Sequence, residues 1–467
     1  MDPAKRRIAL LVAACLFMEI TDGSVVNTSA PRIASTLGVP TSSIALVITA
    51  YIVTVSSLIP LSGWMSARFG ARRIFLLAIG LFTLASVGCS ASTSVPELVA
   101  ARVLQGAGGA MMVPVGRLVV IGDSDRESLL TATAYMVWPA LVAPIVAPII
   151  GGTLTTYLSW HWIFLVNVPL GALALLVAYR IIHPPAQAPP GRLDSLGVLL
   201  TCVSLALLTV TADQLARRQI DWALTLALGL IGTGLLVLNA RHLWYSERPL
   251  INLRVLRIKT LRQATWGTAM IFWVIGAGPY LAPLKFELQF GWSPVKAGAM
   301  LLFMWAGNIG VKPIANRIFR AYGFRTVIFI TAVGLAASSV ALGLSTAHTS
   351  LALIGLEMFV WGTTMSSAAS GITPMSFADV DEGQMRDATV LQSTVTQLSV
   401  GFGVAGSAVA LRIGRALSHP LSNSSHGSFP YTFGWIMVAL FSLMVAVCAL
   451  RLHPQAGDAL RGHRPAA

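Results

Sequence analysis

Apolar residues in this chain neither alternate with a period of two nor gather on a single helical stripe. They continue for stretches of about 20 residues, the length that carries an α-helix across the hydrocarbon core of a bilayer. Fourteen such stretches are legible, at 8–28, 43–63, 74–93, 97–119, 130–157, 162–182, 195–213, 222–240, 264–284, 294–314, 324–346, 349–371, 388–411 and 431–452. The first follows Lys5, Arg6 and Arg7 in the manner of a signal peptide. Glu19 and Asp22 interrupt its apolar run, however, and many more spans follow, so it is kept as a helix. The pattern therefore predicts an all-α polytopic membrane protein with 14 transmembrane helices. The polar linkers are short. The widest are a proline-rich segment near 183–194 and a basic one near 241–263.

Composition agrees and removes the alternatives. Of the 467 residues, 55% are hydrophobic and 11% charged, against about 25% charged in a soluble domain. Disorder would need the opposite balance. The net charge of +14 would point to nucleic acid in a soluble protein. Here the topology changes its meaning. With the N-terminus in the cytoplasm, 24 of the 32 Lys and Arg fall on the inner side and 7 on the outer side, while Arg102 lies within a span. Lys285 and Lys296 count among the outer residues. That bias follows the positive-inside rule and places both termini inside. The excess charge then faces anionic lipid, and no nucleic-acid partner is expected. Cys15, Cys89, Cys202 and Cys448 all sit in apolar stretches without CxxC spacing, so neither a metal site nor a disulfide framework is indicated. There is no Walker loop, dinucleotide fingerprint, HExxH or catalytic triad. The expectation is a protein that is not an enzyme and uses no cofactor.

A weak internal repeat organises the spans. Span two ends in Gly63-Trp64-Met65-Ser66-Ala67-Arg68-Phe69-Gly70-Ala71-Arg72-Arg73, and span ten in a similar basic, aromatic and glycine-bearing stretch, Lys312 to Arg325. Both read as inner turns. The repeat divides the chain into an N-terminal six-helix bundle (1–183), two inserted helices with a basic cytoplasmic linker (184–262), a C-terminal six-helix bundle (263–453) and a cytoplasmic tail (454–467). Repeated halves around a midplane site are a transporter design.

Three acids lie within spans: Glu19, Asp22 and Glu357. Each costs about 2.5–3.5 kcal/mol at a helix centre on insertion scales, so such residues face a partner or a cavity and mark function. Glu19 and Asp22, three apart, share a helix face. Asp22 and Arg102 lie at similar depths in antiparallel spans, so an ion pair is geometrically open to them. The arrangement would set a titratable carboxylate beside a fixed cation: the cation favours the charged form, and desolvation disfavours it. The competing reading is a structural pair that only orients two helices. Gly106, Gly108, Gly109 and Ala110 in span four, and Ala143, Ala147, Gly151 and Gly152 in span five, permit close helix approach. Pro139, Pro144 and Pro148 add kinks to span five. Trp138, Trp305 and Trp361 are candidates to line an apolar substrate pocket, or equally to pack or face lipid.

Several of these segments resemble one family. Asp22-Gly-Ser-Val-Val-Asn27-Thr-Ser-Ala-Pro31, Arg102-Val-Leu-Gln105-Gly106-Ala-Gly108-Gly109, Ala147-Pro148-Ile-Ile-Gly151-Gly152 and the run from Ser159-Trp160-His161-Trp162 through Asn167 to Gly171 are similar to motifs of the major facilitator superfamily, specifically its 14-span drug:proton antiporters of the EmrB/QacA type. The MdtD/HsrA-like branch of exporters is the most similar. The resemblance covers nearly the whole chain. It implies two six-helix bundles plus two inserted helices, and a proton-coupled exporter of amphiphilic or cationic small molecules in the bacterial inner membrane. Such a protein would act as a monomer, with a proton gradient as its energy source. Asp22, Glu19 and Arg102 would then handle protons. Glu357, Asn27, Gln105, Trp138, Trp305 and Trp361 would serve the substrate or a second proton. Gly63, Gly70, Arg72, Arg73, Gly106, Gly109, Pro148, Gly151 and Gly152 would serve packing and gating. Two departures stand out: Ala67 occupies the place of the family's Asp in the loop after span two, and Ala147 that of a Gly. Two other functions stay open, a dedicated exporter of one metabolite or lipid and a non-transporting membrane sensor or scaffold.

Overall fold

The computed structural model describes residues 3–39, 41–122, 157–182, 193–216, 220–247, 249–418 and 428–452, with isolated positions between 135 and 155. Among these residues the regular structure is helical, without a strand. The elements are α1 (Pro3–Leu37), α2 (Thr41–Leu58), α3 (Leu61–Phe69), α4 (Ala71–Ala91), α5 (Val95–Gly122), α6 (Trp162–Leu165), α7 (Asn167–Ile181), α8 (Ser195–Ala216) and α9 (Trp222–Tyr245). They continue with α10 (Lys259–Leu284), α11 (Pro294–Gly310), α12 (Lys312–Tyr322), α13 (Phe324–Leu344), α14 (Leu351–Met375), α15 (Met385–Ser418) and α16 (Phe429–Arg451). Twelve described helices are long and apolar enough to cross a membrane, or 13 when the bent pair Leu46–Leu58 and Leu61–Phe69 is taken as one span. These coincide with thirteen of the predicted stretches. The predicted span 130–157 lies mostly outside the described residues, so they carry thirteen of the fourteen expected crossings. The chain is a multi-pass membrane protein.

The membrane-crossing part of α1, Lys5–Val26, matches the first predicted span, and the helix itself runs on to Leu37. Two expectations need correction. The stretches after spans two and ten, expected as inner turns, are helices α3 and α12. Their origin is local. Proline lacks an N–H and cannot extend the preceding backbone ladder. Pro60 stands at the break, where the chain bends by 60°, and Pro313 opens α12. In α12, Ala315 and Phe319, four apart, point inward while Arg317 and Arg320 stay exposed, which makes a short surface helix. Both short helices end at a glycine of positive φ, Gly70 (φ 88°, ψ 136°) and Gly323 (φ 79°, ψ 154°). A side chain at such angles is strained, so glycine lets the chain turn sharply into α4 and α13. The repeat seen in the sequence is thus repeated in backbone geometry. The second correction concerns Lys285, described with the site below.

The chain divides into two compact units, one formed by Met1–Val210, Leu226–Arg254 and Glu382–Thr394, the other by Thr211–Thr225, Val255–Asp381 and Val395–Ala467. In the first, α1, α2, α4, α5 and α7 enclose an apolar core that includes Val12, Met18, Phe75, Phe82, Met112 and Ala178. Asp194 caps α8 by accepting from Gly197 N at 2.9 Å and pairs with His242 of α9 at 2.9 Å. Asn239 donates to Thr201 at 2.8 Å, which joins α9 to α8. In the second unit, Trp361 meets Trp435 edge to face at 6.0 Å, and Trp273 stacks on Phe441 at 3.8 Å.

Candidate functional site: a buried carboxylate network

Glycine creates the space in which this network forms. A Cβ on Gly106 would meet Thr54 Cβ at 2.9 Å, and one on Gly108 would meet the backbone N of Phe82 at 2.7 Å. Neither is tolerable without movement, so these two positions let α5 lie against α2 and α4. Arg102 and Gln105, three apart on α5, then face α1 together.

Asp22 is 2% exposed and Arg102 1%. Their ion pair closes at 2.5 Å. Asp22 also accepts from Gln105 Nε2 at 2.9 Å and from Asn167 Nδ2, at the start of α7, at 2.7 Å. Arg102 donates a further bond to Gln105 Oε1 at 2.7 Å, and Gln105 donates to Ser86 of α4 at 2.8 Å. The guanidinium lies over the Tyr51 ring at 4.1 Å, a cation–π contact made without competing water. Five helices therefore contribute to a network around one carboxylate and one cation. A buried ion pair is worth its desolvation only when its other polar atoms are bonded; the carboxylate has three donors, whereas Arg102 Nε has no hydrogen-bond partner among the described residues.

Glu19 lies one turn away on α1. Its Oε2 is shut off from solvent and has no hydrogen-bond partner among the described residues. Arg117 of α5 is a cation that acts on it electrostatically. In the second unit, Glu357 of α14 is half-buried and its Oε2 also lacks a hydrogen-bond partner among the described residues. Lys285 acts on it electrostatically. Lys285, expected in an outer segment, is completely buried. Its ammonium donates to the carbonyls of Leu342 and of Gly343, the latter at 2.8 Å. Those carbonyls end α13, where the helix dipole favours a cation. A lysine so placed can continue an apolar span, which a count of charges in loops does not foresee.

The other candidates distribute as follows. Gln105, expected near the substrate, is bound into the Asp22 network. Trp361 is fully buried and donates to Ser339 at 2.9 Å, so its indole is engaged in packing. Trp305 is half-buried on α11. Asn27 is in the helical backbone of α1, with its side chain outside the description. Trp138, Pro148 and Gly152 also lie outside the described residues, as do Pro139 and Pro144. Gly151 is buried, and its carbonyl accepts from Thr155 at 2.6 Å. Gly63 is buried in α3, and Arg73 is exposed. Arg72 donates to the Tyr179 carbonyl at 2.7 Å and tops its ring at 5.2 Å, which ties α4 to the end of α7. Sequence reasoning did not assign Asn167, Ser86, Tyr51 or Lys285 to any site. The available signal was a polar or charged side chain in or beside an apolar helix.

A family model described as Major Facilitator Superfamily matches residues 12–404. A relative from Haemophilus influenzae named "Probable transport protein HsrA" is 32% identical over 458 residues, 98% of each chain. One from Serratia proteamaculans named "Putative multidrug resistance protein MdtD" is 34% identical over 448 residues, 94% of this chain and 91% of its own. Among solved structures, the human organic anion transporter MFSD10 superposes with a TM-score of 0.68 at 14% identity, covering 96% of this chain and 100% of its own. The proton:xylose symporter XylE superposes with a TM-score of 0.66 at 14% identity, covering 97% of each.

Proposed function

The chain belongs to the Major Facilitator Superfamily, and from that premise we propose that it is a proton-coupled antiporter that exports amphiphilic or cationic small molecules. The observation that carries this reading is the Asp22–Arg102 pair, a buried carboxylate held by one cation and two amides. A proton arriving on Asp22 removes the charge that Arg102 was paired with. The guanidinium must then find other acceptors or the helices must shift, and this links proton binding to conformation. The relatives named as multidrug resistance and transport proteins support export as the task. Glu357, with Lys285 acting on it, supplies a second carboxylate for a cationic substrate or a second proton. The protein would work as a monomer in the bacterial inner membrane with both termini in the cytoplasm.

Asp22→Asn tests the reading. It keeps the shape and removes the titratable group. Proton-driven export by inverted vesicles should fall at least tenfold at unchanged expression, a loss of about 1.4 kcal/mol or more. Full coupled export by the variant would refute the assignment. A dedicated exporter of one metabolite or lipid is separated by a substrate panel, because a multidrug carrier answers to several unrelated cations. Ala67, half-buried in α3 where the family has an acid, favours a second reading, a sensor or scaffold. Absence of any pH-gradient-dependent flux across a broad panel would support it.

A further inference from the structure

Tyr51 of α2 touches both parts of the proton machinery. It is 6% exposed. Its ring carries the Arg102 guanidinium at 4.1 Å. Its hydroxyl and Glu19 both approach Gly109: a Cβ built there would lie 3.0 Å from the Tyr51 hydroxyl and 3.6 Å from Glu19 Oε1. Both oxygens therefore border the same small space, and only the missing side chain of Gly109 keeps it open. Neither the Tyr51 hydroxyl nor Glu19 Oε2 has a hydrogen-bond partner among the described residues. Burying such groups unpaired is costly, and natural cores keep few of them. Two of them bordering one space beside a buried ion pair mark a place where polarity serves something other than stability.

Resting on the proton-coupled reading above, we propose that Tyr51 is a positioning residue that makes Asp22 and Glu19 one proton-handling unit. The ring holds Arg102 against Asp22, and the hydroxyl offers Glu19 a donor or an acceptor according to its protonation. A proton bound at Asp22 loosens Arg102, Arg102 releases its hold on the Tyr51 ring, and the hydroxyl moves relative to Glu19. The ionisable groups gathered here are Glu19, Asp22 and Cys15 on α1, Arg102 and Arg117 on α5, and Cys89 on α4, with Tyr51 itself on α2. Tyr51 alone among them combines a ring contact to the cation with a hydroxyl beside the second acid.

The test reads protonation directly and needs no substrate. The full-length protein in lipid nanodiscs is titrated while the infrared bands of buried carboxylic acids are followed. Bands lost in Glu19→Gln and in Asp22→Asn identify the two groups. Tyr51→Phe keeps the ring and removes the hydroxyl; it should displace the Glu19 midpoint by about half a pH unit or more, a roughly threefold change in proton affinity, and move the Asp22 midpoint less, through its coupling to Glu19. Tyr51→Leu removes both and should displace both midpoints. Unchanged midpoints in Tyr51→Phe, or identical behaviour of the two variants, would overturn the proposal. The antiporter reading is judged separately by export through Asp22→Asn: if that variant fails to export while Tyr51→Phe titrates as the parent does, the inference about Tyr51 alone falls.

Discussion

Each unit buries a cation, and the two are stabilised by different means. Arg102 is met by a formal negative charge and shares its amide partner with that charge. Lys285 is met by backbone carbonyls at the end of a helix, and the acid it acts on keeps an oxygen without a hydrogen bond among the described residues. The first arrangement is a connected network of side chains on five helices, so a change at one member is felt by the others. The second is a cap on one helix, and its carboxylate is free to interact with something else. A buried cation is thus no indicator of function by itself. What distinguishes the two is whether the group that accepts the cation's hydrogen bonds can change its charge.

Four single variants and two double variants press on that difference. Arg102→Ala leaves Asp22 buried without its counter-charge and should cost about 3–5 kcal/mol, read as a collapse of the thermal unfolding midpoint in detergent. Adding Asp22→Asn to it should restore much of the loss, because the orphaned charge disappears with it. Lys285→Met should cost about 1.5–3 kcal/mol, the value of hydrogen bonds from a charged donor. Adding Glu357→Gln should recover little, and a full recovery would show that the two circuits are of one kind. Asn167→Ala removes one of three donors to Asp22 and should cost about 1 kcal/mol, while shifting the pH dependence of export. Arg73→Gln, on an exposed side chain, should leave the unfolding midpoint where it is. A large effect there would show that Arg73, in the first turn of α4, makes a stabilising contact.

The glycine corners offer a control on the repeat. Gly70→Ala and Gly323→Ala force a Cβ into backbone angles that suit glycine almost alone, at about 1–3 kcal/mol each. The two losses should be alike, measured by the same unfolding assay.

Span positions were readable because a bilayer demands long apolar runs whatever the fold. Asp22 and Arg102 were readable for the same reason reversed, as charges where none is cheap. Asn167 was harder, since a neutral amide near the end of an apolar run costs little and does not stand out. Lys285 was misplaced because a lysine at a helix end looks like a loop residue until the carbonyls that receive it are known. Helices α3 and α12 were read as turns because their basic, glycine-flanked sequences match the inner loops that the charge rule expects. Their amphipathic spacing, Ala315 with Phe319, was present but short. Tyr51 gave no warning at all, as a tyrosine in an apolar span is usually packing. Its meaning comes only from what surrounds its two ends.

The ion pair of the first unit also has an electrical side. With Asp22 charged, the pair carries no net charge, and the membrane voltage exerts little force on it. With a proton bound to Asp22, Arg102 is an uncompensated positive charge inside the field. One elementary charge carried through a full 100 mV drop is worth about 2.3 kcal/mol, and a charge moving part of the way feels a proportionate fraction. Protonation would therefore do more than release a contact: it would make this half of the protein responsive to voltage, so that the electrical part of the gradient acts on the loaded carrier and hardly at all on the empty one.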